Sequence, residues 1–219
     1  MKNLLSIIGL LAISLTTFAQ DLPSQLTESE KMIQYTPPFS VGNTTPPVSE
    51  VRTPAEWEEI DGLCIRWRSS FAQSTLREIV RHAKEEVTVY IVTSQSYVNT
   101  ITNQLQQYGI SLDNVEFVYE SSNSIWFRDY GQWNVYTDDV DSLLWVDWIY
   151  NRPRPDDDVV PETLSDLLDI PLYQTTDAPY DLVNTGGNFM VDGFGTAFSS
   201  ELIIEENDGT GYGSSTHSE

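Results

Sequence analysis

Between Leu63 and Tyr119 the chain alternates two hydrophobic periods, and this alternation restricts the fold more than any other feature. Leu63-Cys-Ile-Arg-Trp67, Val87-Thr-Val-Tyr-Ile-Val-Thr93 and Val115-Glu-Phe-Val-Tyr119 are short runs rich in β-branched and aromatic residues. That is the pattern of buried strands. Between the first two, Leu76, Ile79, Val80 and Ala83 recur at i, i+3, i+4 and i+7. Ser74–Lys84 therefore reads as a helix with Ser74 as its cap. Tyr97–Tyr108 reads as a second helix, closed by Gly109. Strands alternating with helices build a sheet with helices packed on it.

Beyond Tyr119 the pattern changes. Trp133–Tyr136 and Leu143–Tyr150 pair as a hairpin across Thr137–Asp141. Pro161–Leu168 is a short helix with proline at its start. A further hairpin is expected at Asn188–Val191 and Thr196–Ser199, turning through Asp192-Gly-Phe-Gly195. Leu202-Ile-Ile is the last apolar run, and Gly209–Ser215 reads as loop. The expected sheet is mixed, so the chain is α/β or α+β. It lacks the glycine fingerprint of a dinucleotide fold. Residues 20–54 carry Thr36-Pro-Pro, Thr44-Thr-Pro-Pro and Thr53-Pro with no hydrophobic period, and read as a linker extended over the surface. Regular structure is expected from about Trp57 onward.

The first 19 residues read as a secretory signal. Lys2 is the basic start, Leu4–Leu15 is an apolar run of 12 residues, and Thr17-Phe-Ala19 is a cleavage site. The run is too short to span a bilayer. The expected location is secreted or periplasmic, with no membrane attachment after cleavage. The formal net charge is −22, which excludes nucleic acid as a partner because phosphate binding needs clustered cations. An acidic surface concentrates cationic ligands instead. Cys64 is the one cysteine, so no disulfide forms within the chain, and its apolar strand marks it as a buried structural thiol. His82 lies between Arg81 and Lys84 on a helix and is expected in solvent, and His217 is two residues from the end. No zinc spacing, Ser-His-Asp signature or phosphate loop is present.

From Glu85 onward the only basic side chains are Arg128, Arg152 and Arg154. All three sit in two short segments. In the first, Asp129 follows Arg128 among Trp126, Phe127, Tyr130 and Trp133. A carboxylate walled by rings suits a planar guanidinium, which offers two parallel N–H donors and a face for stacking. A plain turn satisfied by its neighbours fits the spacing equally well. In the second, Arg152 and Arg154 flank Pro153, which holds the chain extended. Side chains at i and i+2 then point to one side about 7 Å apart, a stiff fork for a carboxylate. Pairing of both arginines with Asp156, Asp157 and Asp158 is the competing reading. A third segment, Asn184-Thr-Gly-Gly-Asn188, offers paired glycines, needed for close backbone approach or for a simple strand-entry turn.

These three segments, in this order, resemble the guanidine-modifying superfamily, in its agmatine deiminase and bacterial peptidyl-arginine deiminase branch. Trp126-Phe-Arg-Asp-Tyr-Gly-Gln-Trp133 is similar to the family's W-x-R-D-x-G-x-W, and Gly186-Gly-Asn-Phe-Met-Val-Asp-Gly193 to its G-G-x-x-x-x-D-G. The resemblance covers roughly Pro54 to Asn207. Asn151-Arg-Pro-Arg-Pro155 resembles the secreted peptidyl-arginine deiminases, and Thr185 replaces the glutamate usual in agmatine deiminases. The resemblance implies an α/β fold, a five-module pentein-like propeller of which residues 55–219 form roughly the first half. It implies that Asp129 grips a substrate guanidinium, with Trp126, Gly186, Gly187 and Asn188 lining the site. Arg152 and Arg154 would hold the α-carboxylate of a C-terminal arginine. The implied reaction is hydrolysis of peptidyl arginine to citrulline and ammonia by a cysteine nucleophile, with no metal or other cofactor. The alternatives are deimination of agmatine to N-carbamoylputrescine, and a half-propeller that binds guanidinium ligands without catalysis. The family's H-x-D pair and late cysteine have no counterpart here. The chain is therefore expected to be inactive as it stands and to expose strand edges where the propeller breaks off.

Overall fold

The computed structural model describes residues 21–37, 40–68, 71–137 and 142–209. The expected signal segment, most of the turn at Thr137–Asp141 and His217 lie outside the described residues.

Two sheets organise the chain. In the first, β2 (Gly62–Arg66), β3 (Thr88–Thr93) and β4 (Val115–Tyr119) run parallel in the order β2-β3-β4. β3 is central and buried on both faces. Its Val89 and Ile91 enter one core with Val80 of α1 (Gln73–Ala83) and Leu105 of α2 (Val98–Gln107). Its Tyr90 and Val92 face a second core with Tyr130, Trp145 and Leu164. A strand packed on both faces must be apolar almost throughout, which explains the run at 87–93. α1 starts one residue before the expected cap. Ala72 precedes it at φ 51, no side chain caps it, and Ser74 lies inside the first turn. Gly109, at φ +70, follows α2 as expected.

The second sheet is the mixed one. β5 (Trp133–Thr137) and β6 (Ser142–Tyr150) form the expected antiparallel hairpin. The chain then makes one helical turn, α4 (Pro155–Asp158), and a longer helix, α5 (Val160–Leu168). It returns as β7 (Leu172–Thr175), parallel to β6. β8 (Val183–Asn184) pairs with the end of β6. The proline-rich segment before residue 54 joins this sheet at both sides. Asn43 bridges to Tyr173, and β1 (Val51–Arg52) pairs antiparallel with β5. Outer strands are covered there, whereas β2 and β4 each pair only with β3 among the described residues.

After β8 come a 3-10 turn at Gly186–Asn188, a two-stranded hairpin of β9 (Met190–Val191) and β10 (Ala197–Phe198), and α6 (Leu202–Glu205). No described helix is long and apolar enough to cross a membrane.

Candidate functional site

The loop leaving β4 is fixed from below by Asp157, a fully buried carboxylate. Its Oδ1 accepts from the backbone N–H of Asn123 (2.8 Å) and Ser124 (3.0 Å), and its Oδ2 from the Ser124 hydroxyl (2.7 Å). Arg66 adds bonds to the Ser122 hydroxyl and to the Val92 carbonyl. The loop delivers the chain into α3 (Phe127–Tyr130), one helical turn that carries Asp129. The 3-10 turn at Gly186–Asn188 packs directly on α3. A methyl group on Gly186 would overlap the Arg128 carbonyl oxygen, and one on Gly187 would sit 2.7 Å from Asp129 Oδ1. The glycine pair is thus what lets the two turns meet. Thr185 lies beside Asp129 and favours its charged form. Burial raises the Asp129 carboxyl above its ordinary value, opposed by Arg152, Thr185, Arg154 and Arg128.

Arg152 and Arg154 follow β6, and both guanidinium groups reach the segment at residues 23–30. Arg154 Nη2 donates to the Pro23 carbonyl (2.7 Å) and Arg152 Nε to the Ser24 carbonyl (3.0 Å). Arg154 Nε donates to Glu30 Oε1 (2.7 Å), an ion pair in which Arg154 is 1% exposed and Glu30 is 6% exposed. Glu206, just after α6, accepts from Asn151 Nδ2 and lies 4.0 Å from Arg152. The neighbouring acids are committed elsewhere. Asp156 accepts from the Asn123 side chain, and Asp158 from the Tyr150 backbone and the Tyr35 hydroxyl. Neither arginine forms an ion pair with them among the described residues, so the competing reading of the fork does not hold.

Around Asp129 and Arg154, several buried polar atoms have no hydrogen-bond partner: Tyr150 Oη, Asn151 Oδ1, Arg154 Nη1 and Asn184 Oδ1. Tyr150 and Asn184 sit opposite each other where β6 meets β8, and Tyr150 interacts electrostatically with both Asp129 and Arg154. Buried unpaired polar atoms are costly in a finished core and useful where a polar ligand can satisfy them.

The expectation that four rings wall Asp129 needs correction. Phe127 and Tyr130 belong to the second core, where Tyr130 meets Phe127 at 5.5 Å and Tyr150 at 5.8 Å between ring centres. Apolar burial wins for these two rings. Trp133 packs against Trp148 (5.6 Å) and Phe189 (5.1 Å), with Arg128 over its ring and paired with Glu56. Trp126 is half-buried, and its Nε1 donates to the Leu22 carbonyl (2.8 Å). Asn188 uses its side chain on Ser199 and Ser200, tying the turn to the two residues after β10.

The structure therefore brings together Asp129, Arg152, Arg154 and the Gly186–Gly187 pair, with Trp126 at the near edge and Asn188 turned to the hairpin. Thr185, Glu30 and the unpaired end of β6 were not expected there. Thr185 and Asn184 belong to a segment already singled out, but nothing in the sequence around Glu30 points to Arg154. Cys64 is not part of the site. Burial pushes its thiol up to about 11 against a bond with Gln132, so it carries no thiolate at neutral pH. His82 is exposed beside Glu78. No group of three or more His, Cys, Asp or Glu side chains that could hold a metal ion occurs among the described residues. A surface pocket lined by Val41, Asn43, Glu162 and Leu172 shares no residue with the site.

Comparison with known proteins gives the family and the fold. The family model for Porphyromonas-type peptidyl-arginine deiminase matches residues 52–214. An inferred agmatine deiminase of Lactococcus lactis is 26% identical over 180 residues, covering 74% of this chain and 46% of that protein. The chain thus spans about half the length of this curated relative. The agmatine deiminase of Enterococcus faecalis matches in structure with a TM-score of 0.62 at 20% identity, over 78% of this chain and 54% of that one. The C. jejuni agmatine deiminase matches at 0.59 and 21%, over 72% and 48%. These structural matches establish a shared α/β fold. On the family match, which takes in every segment of the site from Trp126 to Asn188, this chain belongs to the Porphyromonas-type peptidyl-arginine deiminase family.

Proposed function

We propose that this chain supplies the guanidinium- and carboxylate-gripping part of a deiminase that hydrolyses C-terminal peptidyl arginine to citrulline, releasing ammonia. The observation that carries this reading is Asp129 packed against the glycine turn beside Thr185, with Arg152 and Arg154 within its electrostatic reach. An ionised Asp129 can accept two parallel bonds from a guanidinium. Two arginines beside it favour a ligand that also carries a carboxylate. They disfavour agmatine, whose second group is a cation. The unpaired Tyr150 Oη and Asn184 Oδ1 add polar contacts that such a ligand can satisfy. Cys64 supplies no nucleophile, so the contribution of the described residues is binding and orientation. The likeness to agmatine deiminases, one of them described with substrate bound, supports the same class of ligand. A propeller-type assembly of the α/β units belongs to the same proposal and rests on the resemblance of the three segments. The basic, apolar and small-residue order of residues 1–19 supports a secreted or periplasmic location.

Calorimetric titration tests the reading with three ligands: a short peptide ending in arginine, its C-terminal amide, and agmatine. The free-carboxylate peptide should bind tightest. Asp129→Asn should weaken every guanidinium ligand by about 100-fold, the loss of a charge-assisted double hydrogen bond. Tightest binding of agmatine would overturn the peptidyl-arginine assignment.

A further inference from the structure

The three side chains that line one side of the site all donate to one short stretch of the chain's own backbone. Trp126 Nε1 bonds to the Leu22 carbonyl, Arg154 Nη2 to that of Pro23, and Arg152 Nε to that of Ser24. Arg154 Nη2 also reaches the Gln25 carbonyl (3.4 Å). Arg68 pairs with Asp21 at the start of the stretch (2.9 Å). At its other end, Thr27-Glu-Ser-Glu30 forms a reciprocal cap. The Thr27 N–H and hydroxyl both donate to Glu30 Oε2 (2.8 Å each), and the Glu30 N–H donates to Thr27 Oγ1 (3.2 Å). This cap presents Glu30 Oε1 to Arg154 Nε at 2.7 Å, with Nη2 3.3 Å from Oε2. A carboxylate therefore already lies on Arg154 in forked geometry, where the function proposed above puts the ligand's carboxylate. The remaining nitrogen, Arg154 Nη1, is buried and unpaired.

We propose that residues 22–30 are a built-in competitor for the site, with Glu30 standing in for the carboxylate of an arginine-ended ligand, so that such a ligand enters only when this strap leaves. The inference rests on the ligand class proposed above. The strap is held by hydrogen bonds to four carbonyls, one locally built cap and the ion pair of Glu30 with Arg154. Release exposes polar groups that water or a ligand can satisfy, whereas removal of a packed core element would expose apolar surface. Binding through a fraction of open molecules weakens the apparent affinity by that fraction.

The test uses the full chain, Glu30→Gln, and Thr27→Val, which weakens the cap without touching Arg154. Amide exchange over residues 22–32 reports the strap. Titrations with an arginine-ended peptide and with methylguanidine report the site. Both variants should exchange faster in 22–32 and bind the peptide about tenfold tighter or more, with methylguanidine affinity unchanged because it needs Asp129 alone. Saturating peptide should raise exchange in 22–32 of the unaltered chain. Peptide binding with the strap still protected, or no gain in either variant once 22–32 exchanges fast, would overturn the competitor role while leaving the function standing. Failure of peptide and methylguanidine to bind even with the strap open would overturn both.

Discussion

At the scale of single residues, the site depends on what two glycines leave out. Gly186 faces a backbone oxygen that cannot move without shifting α3, whereas Gly187 faces the end of a side chain. Alanine at these positions should therefore act differently. Gly186→Ala should destabilise the fold by about 1–3 kcal/mol, read as a lower Tm, because the backbone must shift. Gly187→Ala should leave Tm nearly unchanged yet weaken guanidinium ligands, because Asp129 swings away. Equal effects of both on Tm would argue against this division. Asp129 adds a pH signature. Burial raises its carboxyl above the ordinary value, and only the ionised form grips a guanidinium. Affinity should then fall as pH drops, beginning above the usual carboxylate range of about 3.8, and titration in stepped buffers would show it. The sequence named the residue types here, because basic side chains are scarce in this half of the chain and two glycines stand side by side. It did not say which groups face which. Arg154 and Asp157 are three residues apart, yet one holds Glu30 and the other the Ser124 loop.

Among elements, those with a strong period were legible. β3, β4, the β5–β6 hairpin and α1, α2 and α5 stand within a residue or two of expectation, because each must bury one face or two. β1, β7 and β8 were not expected. They are two to four residues long, too short to show a period, and exist because a neighbouring strand offers them partners. Ser74 did not cap α1, since the chain enters that helix through Ala72 in a left-handed conformation. α5 shows how an element reaches the site. It carries Leu164, fully buried against the second core, and it connects β6 to β7. Leu164→Ala should cost about 2–5 kcal/mol in chemical denaturation, mostly as the price of a cavity. Peptide affinity of the molecules still folded should change little, and a large loss of affinity at constant stability would show that α5 positions the site directly.

For the molecule as a whole, buried acids set the response to pH. Burial pushes Asp158 up to about 6 despite bonds from Tyr35 and Tyr150, and raises Asp147, Asp157 and Glu206 as well. In this range the folded state binds protons more tightly than the unfolded chain, so stability falls as pH rises from about 4 through 6. A formal charge of −22 adds repulsion in the same direction. Glu30 has the opposite sign. Burial opposes its charge, but bonds from Arg154 and Thr27 hold it at about 2, so its contribution is lost only as pH falls from 4.5 toward 2. Tm should therefore be higher at pH 5 than at pH 8, and Asp158→Asn should flatten the difference. A Tm that climbs from pH 5 to pH 8 would contradict this account.

The sequence by itself determined the kinds of element, the segregation of cations into two segments and the family those segments resemble, because periodicity and scarce residue types are local properties. Only the tertiary structure decided which face each ring takes, how the glycine turn meets α3, and that residues 22–30 lie on Arg152 and Arg154. The contacts of residues 22–30 join positions more than 100 apart in the chain, and no local pattern encodes a partner at that distance. They form because a buried guanidinium must find a carboxylate and carbonyls wherever the folded chain brings them.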